Sequence, residues 1–167
     1  MRYRLMPPAV LLATLLLSWP SAAASAIPLG VHDGIYTVPV EVNRSTSLEF
    51  LIDTGASVVA IPTSVFEMLV RNGTITDDDI VGTGTAILAD KSLYRSVQVR
   101  LRELRVGDIV IRDVVAGVSP ALIAPLLGQS FLNRFPSITF DNQRRVLILS
   151  GSAPAAYQRR YVPFGSR

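Results

Sequence analysis

The sequence has no cysteine and a single histidine, His32, among its 167 residues. Without cysteine there is neither a disulfide framework nor a thiolate metal site. One histidine excludes a cluster of imidazole ligands and gives a Ser-His-Asp triad no redundancy. His32 stands beside Asp33-Gly34 in a turn-like stretch and reads as a solvated residue. Three successive acids, Asp77-Asp78-Asp79, do not converge on a cation without further spaced ligands, so they read as a solvated turn and cap. No phosphate loop is present either: the glycines of Val81-Gly82-Thr83-Gly84-Thr85 are followed by no Lys-Ser/Thr and lack dinucleotide-binding spacing. Excess charge is also missing. The formal +3 falls to fourteen basic against thirteen acidic residues once Arg2 and Arg4 are set aside with the leader below, which gives no reason to expect nucleic acid as a partner. The chain is long enough for one ordinary domain and too short for two.

What is present begins at the N-terminus. Arg2 and Arg4 precede the apolar run Ala9–Leu17, and small residues follow through Ala26. This basic, apolar, small order is that of a secretory signal, and the run is too short to span a bilayer comfortably. Ala22-Ala23-Ala24 and Ala24-Ser25-Ala26 both fit the cleavage pattern, and the second is favoured. The expected organisation is therefore a signal peptide over 1–26, a domain over 27–151 and a tail over 152–167. An uncleaved anchor is the alternative. Export leads to the periplasm if the source is a Gram-negative bacterium, and no stable membrane span is expected after cleavage.

The stretch that organises the domain is Phe50-Leu51-Ile52-Asp53-Thr54-Gly55-Ala56-Ser57, followed by Val58-Val59-Ala60-Ile61. It reads as a buried strand, a tight loop and a second buried strand. Asp53 falls where the chain reverses, so its carboxylate lies at the edge of an apolar layer. Gly55 lets the backbone turn and leaves its N–H open to a carboxylate oxygen. Thr54 offers a hydroxyl. Asp-Thr-Gly alone is an ordinary turn; its flanks make it more.

Around it the pattern is mainly β. Ile35–Val42 alternates as a strand with Pro39 at an edge or bulge, and Ser47–Ile52 pairs back across Asn43–Thr46. Val65, Phe66, Leu69 and Val70 repeat at helical spacing after Pro62, with Thr63 or Ser64 as cap and Asn72-Gly73 as stop. Residues 93–104 alternate as a half-buried strand whose Arg100 and Arg102, with the following Arg105, form a wet face. Two strands are expected across 109–118. Ala124-Pro125-Leu126-Leu127-Gly128 leads into a short helix, and Ser137–Asp141 pairs with Arg145–Leu149 across Asn142-Gln143-Arg144.

Phe50–Ser57 resembles the hydrophobic-hydrophobic-Asp-Thr-Gly-Ala-Ser motif of aspartic proteases, and most of all that of the retropepsins, half-size members that work as homodimers. Leu126-Leu127-Gly128 resembles their hydrophobic-hydrophobic-Gly motif. Leu127-Gly128-Gln129-Ser130-Phe131-Leu132 is similar to the Leu-Gly-x-x-Phe/Met-Leu pattern of bacterial retropepsin-like proteins and of the similar domain in eukaryotic DNA-damage-inducible shuttle proteins. The resemblance implies a retropepsin-like closed acid-protease β-barrel protomer with one or two short helices. It implies one catalytic residue per chain, Asp53, supported by Thr54, Gly55, Ala56 and Ser57, with Thr54 cross-linking the two loops of a homodimer. It further implies peptide or protein substrates, no cofactor and no metal. A flap would fall over residues 82–92, with Gly82, Thr83, Gly84 and Thr85 in it, although the Ile-Gly-Gly of viral flaps is absent and an ordinary surface hairpin is the alternative. C-terminal strands would join the sheet between protomers, unless they pair only within their own. Two other functions stay open: a dimeric binding module of the same fold without useful proteolysis, and a structural β-barrel whose Asp-Thr-Gly is a chance turn.

Overall fold

In a computed structural model the described residues are 25–87 and 93–151. Most of the leader and the whole tail therefore lie outside them, as do residues 88–92 of the expected flap. Strand β1 (Ser25–Pro28) begins within the expected leader. It is followed by β2 (Gly30–His32), β3 (Ile35–Val42), β4 (Thr46–Ile52), β5 (Val59–Pro62), helix α1 (Thr63–Arg71), β6 (Ile80–Ile87), β7 (Leu93–Val106), β8 (Ile109–Ser119), β9 (Leu126–Leu127), helix α2 (Gln129–Leu132), β10 (Ser137–Asp141) and β11 (Val146–Ser150).

Six of these strands close on themselves. The order β3-β4-β9-β5-β8-β7 returns to β3 where Glu41 and Val42 pair with Arg105 and Leu104. This is the closed barrel that the resemblance leads one to expect. Closure removes the open edges that an isolated sheet would present. Val38, Val40, Val42 and Phe50 point inward from the first hairpin, and Val59, Ile61, Val99, Leu101, Val114 and Leu127 meet them, all fully buried. Each such side chain contributes about 1.5–3 kcal/mol on leaving water. Pro39 is exposed opposite Glu49, between the short stretch of β3 that β2 covers and the stretch that β7 covers, so no ladder bond is asked of its missing N–H.

The arginines of β7 lie on its wet face as expected, Arg100 and Arg102 exposed and Arg105 half-buried, but Arg102 and Arg105 also find carboxylates there. Glu103 is buried, and Arg44 donates to both of its oxygens through Nε and Nη2 at 2.8–3.0 Å. Arg105 bridges Glu103 and Glu41 across the closing strands, and Arg112 approaches Glu103 at 3.6 Å. Arg102 pairs with Asp79 at 3.3 Å and donates to the Thr74 carbonyl at 3.0 Å. Asp79 is accordingly buried, while Asp77 and Asp78 are exposed as expected.

The turn between β3 and β4 explains why Arg44 is there. Asn43 and Arg44 both have positive φ, 50° and 58°, a conformation for which Asn-Gly is the usual choice. Arg44 adopts it without glycine's freedom, at a cost of about 1 kcal/mol or more. Its charge-assisted bonds to Glu103 offset that cost, as does the reciprocal pair of Asn43 N to Glu103 O and Glu103 N to Asn43 Oδ1.

Helix α1 departs from expectation at its start: Pro62 occupies the cap position, and no side chain caps the helix. Its end is as read, with Gly73 at φ 74° accepting the reversal. β10 and β11 pair as expected. β11 also pairs with β1 in the same chain, Ser25 opposite Leu149 and Pro28 opposite Val146, so both edges of β11 are occupied.

The Glu103 carboxyl titrates below its ordinary value, chiefly through the Arg44 hydrogen bond; burial opposes this, and the charges of Arg44, Arg112 and Arg105 add to it. A carboxyl lowered in the fold stabilises it above the unfolded value and loses that contribution as pH falls through the folded one. Glu103→Gln is therefore expected to lower Tm at pH 7. The gap from wild type should close progressively in thermal melts as pH falls below the ordinary glutamate value of about 4.3.

Candidate active site

Strand β4 carries Phe50 and Ile52 into the core and releases the chain at Asp53; β5 takes it up again at Val59. The six residues between form the loop. Asp53 is half-buried. Its Oδ1 accepts hydrogen bonds from the N–H groups of Gly55 at 2.8 Å and Ala56 at 3.2 Å. Among the described residues Oδ2 accepts none, and no ion pair involves Asp53. One carboxylate oxygen is thus held by the backbone and the other is available for proton transfer.

Gly55 gives its N–H to the carboxylate as expected. Its φ is not in the left-handed region, and a Cβ there would stand 3.2 Å from Asp53 Oδ1, inside ordinary contact, so the carboxylate would have to give by a few tenths of an ångström. Thr54 and Ser57 are exposed and Ala56 is half-buried. Among the described residues the Thr54 hydroxyl makes no hydrogen bond, which leaves it open to a group outside the chain.

The loop is held from the far end of the sequence. Strand β9 is inserted between β4 and β5: Leu51 and Ile52 pair in parallel with Leu126 and Leu127, and Ala60 pairs antiparallel with Leu126. Leu51 N donates to Pro125 O at 2.8 Å, and Asp53 N to Leu127 O at 3.3 Å. Leu127 is fully buried beneath the loop. At Gly128 the backbones touch: a Cβ would collide with the Val58 carbonyl and lie 2.8 Å from Ala56 O. The motif residues Leu126, Leu127 and Gly128 are therefore brought together with Asp53.

Two residues that the motif reading passed over complete the clamp. Gln129 donates through its backbone N–H to Ala56 O at 2.8 Å and through Nε2 to Thr54 O at 2.7 Å. Ser130 Oγ accepts the Val59 N–H at 2.8 Å. Their signal in the sequence was a polar pair opening a helix directly after the glycine, where side chains commonly satisfy unpaired backbone groups.

Gly82, Thr83, Gly84 and Thr85 lie elsewhere, on a two-stranded ribbon. β6 pairs with β7 from Gly82↔Gln98 to Ile87↔Leu93, after a bulge between Ile80 and Gly82. β8 accompanies β7 only as far as Gln98, so the ribbon projects beyond the barrel. Its root adjoins the loop: a Cβ on Gly117 would lie 3.3 Å from Ser96 Oγ and 3.9 Å from Val58 Cγ2.

Comparison with known proteins places this geometry. A family model described as gag-polyprotein putative aspartyl protease matches residues 38–134, from the first hairpin through α2. No curated protein sequence matches. Among solved structures, the crystal structure of a retropepsin-like aspartic protease from Rickettsia conorii aligns with a TM-score of 0.56 and 23% identity, covering 76% of this chain and 98% of that one. At that identity the likeness is one of fold.

The clamp makes two sites sensitive to small changes. Gly128→Ala should destabilise the chain by about 3 kcal/mol through backbone overpacking, and Ser130→Ala by about 1–2 kcal/mol by leaving the Val59 N–H unpaired, both measured by denaturant unfolding.

Proposed function

Because the chain belongs to the gag-polyprotein aspartyl protease family, we propose that it is an exported aspartic endopeptidase that works as a homodimer, with Asp53 of each copy forming one carboxylate pair. The observation that carries this reading is the Asp53 cradle, in which Oδ1 is fixed by the Gly55 and Ala56 N–H groups and Oδ2 is left to react. The sequence holds a single Asp-Thr-Gly, and a two-fold axis presents the same residue twice.

Two carboxylates ~3 Å apart at an effective dielectric near 20 repel by about 5 kcal/mol, so the pair shares one proton, as aspartic-protease pairs generally do. The charged member takes a proton from a bound water. The water attacks the peptide carbonyl, and the protonated member donates to the developing oxyanion. Thr54, exposed and without a partner for its hydroxyl among the described residues, is placed to bind the partner loop. The projecting β6–β7 ribbon, with Gly82, Thr83, Gly84 and Thr85, serves as the flap over a bound peptide. Since β11 is paired on both sides, the edges of the small sheet without a neighbour among the described residues are those of β1 and β10, and a partner strand joins there.

Export follows from the leader, with the periplasm as destination in a Gram-negative source. β1 bears on the cut. Cleavage after Ala26, the site favoured on pattern, would remove Ser25 and Ala26 and their pairing with Leu149 and Ile148; cleavage after Ala24 leaves β1 whole. The mass of the exported protein is expected to show Ser25 as first residue.

The decisive experiment incubates the exported protein with a peptide library beside Asp53→Asn. Wild type should cut, the variant should be about 10³-fold slower, and scattering should give the mass of a dimer. Equal cutting by both would discredit Asp53. A protein that dimerises and binds peptides without cutting would favour the binding-module reading.

A further inference from the structure

The side chain of Gln129 reaches the catalytic loop at a particular peptide group. Nε2 donates to Thr54 O at 2.7 Å, and the N–H at the other end of that same peptide, on Gly55, donates to Asp53 Oδ1 at 2.8 Å. The peptide is planar, so fixing its carbonyl fixes the direction of its N–H. Hydrogen bonds in series also polarise one another, so a donor on the carbonyl strengthens the N–H as a donor. The sequence of contacts runs from a carboxamide, through one peptide, to the carboxylate.

We propose that Gln129 is a positioning residue for Asp53: it orients and polarises the Thr54–Gly55 peptide that holds the reacting carboxylate. The proposal rests on the protease reading for its effect on rate, and on the geometry alone for its effect on the Gly55 N–H. Helix α2 does not need this side chain to dock. Its backbone already bonds Ala56 O through the Gln129 N–H, Ser130 binds Val59, and Phe131 and Leu132 are buried. The residue type matters as well. Glutamine supplies a neutral donor; a carboxylate would set acceptor against acceptor at Thr54 O, and leucine would fill the space without donating.

Few charges confuse the test. Asp53 is the titratable group of the loop. Arg134 follows α2 and is turned back onto the Ser130 carbonyl. Strands β5 and β9 carry no charged residue, and β8 meets β5 through Ala116–Ser119, away from its Arg112 and Asp113.

Wild type, Gln129→Leu and Gln129→Glu are compared as full exported proteins on one peptide cleaved by wild type, with kcat and KM followed over pH and the Gly55 amide proton followed by NMR. Gln129→Leu is expected to lower kcat about 3–10-fold, the equivalent of one neutral hydrogen bond, with KM unchanged. Its Gly55 amide proton should move upfield as that bond weakens. Gln129→Glu should match the leucine variant at neutral pH. It should approach wild type below the ordinary glutamate range, about pH 4.3, where its protonated carboxyl donates to Thr54 O. Wild-type kcat and an unmoved Gly55 proton in the leucine variant would overturn the proposal. So would a loss in the glutamate variant that acid does not relieve. If wild type cleaves nothing, the protease reading fails by itself, and the Gly55 proton still decides whether Gln129 acts on that peptide.

Discussion

Everything at the candidate site depends on one close approach of backbones, where Gly128 lies against the Val58 carbonyl and Ala56 O. A residue with any side chain there would push β9 out from between β4 and β5. Those two strands are the entry to and exit from the Asp53 loop, so their separation sets the loop's shape. With β9 in place, the amide of Asp53 and the carbonyls of Thr54 and Ala56 all have partners on the β9–α2 segment. A loop of small residues that would otherwise sample many conformations is thereby held in one. Such pre-organisation is what lets a carboxylate react without first being ordered.

The strongest charge interactions lie away from this loop. They gather at the barrel seam, where buried Glu103 draws in Arg44, Arg105 and Arg112. A buried carboxylate is costly alone and acceptable once its oxygens are bonded. Here it also holds a tight turn of positive φ that lacks glycine. Closure of the barrel, geometry of the first hairpin and satisfaction of Glu103 are therefore one arrangement. The Asp53 loop, in contrast, is held by neutral amides, which leave its carboxylate as the only charge present.

Legibility followed the range of the interactions. The Asp53 loop, the hydrophobic-hydrophobic-Gly motif, the end of α1 and the final hairpin were readable because neighbours along the chain set them. The arginines of β7 were placed correctly on the wet face, but their partners were not readable, because alternation says which face a residue takes and nothing about a carboxylate sixty positions earlier or a buried one on the same strand. Asp79 caps its turn as read, its Oδ2 accepting the Thr76 N–H, but its burial was missed for the same reason: its partner, Arg102, is distant in sequence. Gly55 was read correctly as the N–H donor to the carboxylate, but not as a position where a Cβ would press on it, since a turn residue and a residue close to a carboxylate look alike in a string of letters. Gln129 and Ser130 were visible as letters, but their roles were not, because these depend on which carbonyl and which amide come within reach.

By itself the sequence determined the class of the fold, the single acid in its small-residue turn, and the apolar pair and glycine that accompany it. These are fixed by composition, period and local turn chemistry, which act over a few residues. Only the tertiary structure decided that β9 threads between β4 and β5, that Glu103 anchors a turn sixty residues away, and that Gln129 reaches the peptide on which Asp53 rests. Those facts come from packing, where the position of each group is set by excluded volume and by the need of every buried polar atom for a partner, whatever its distance along the chain.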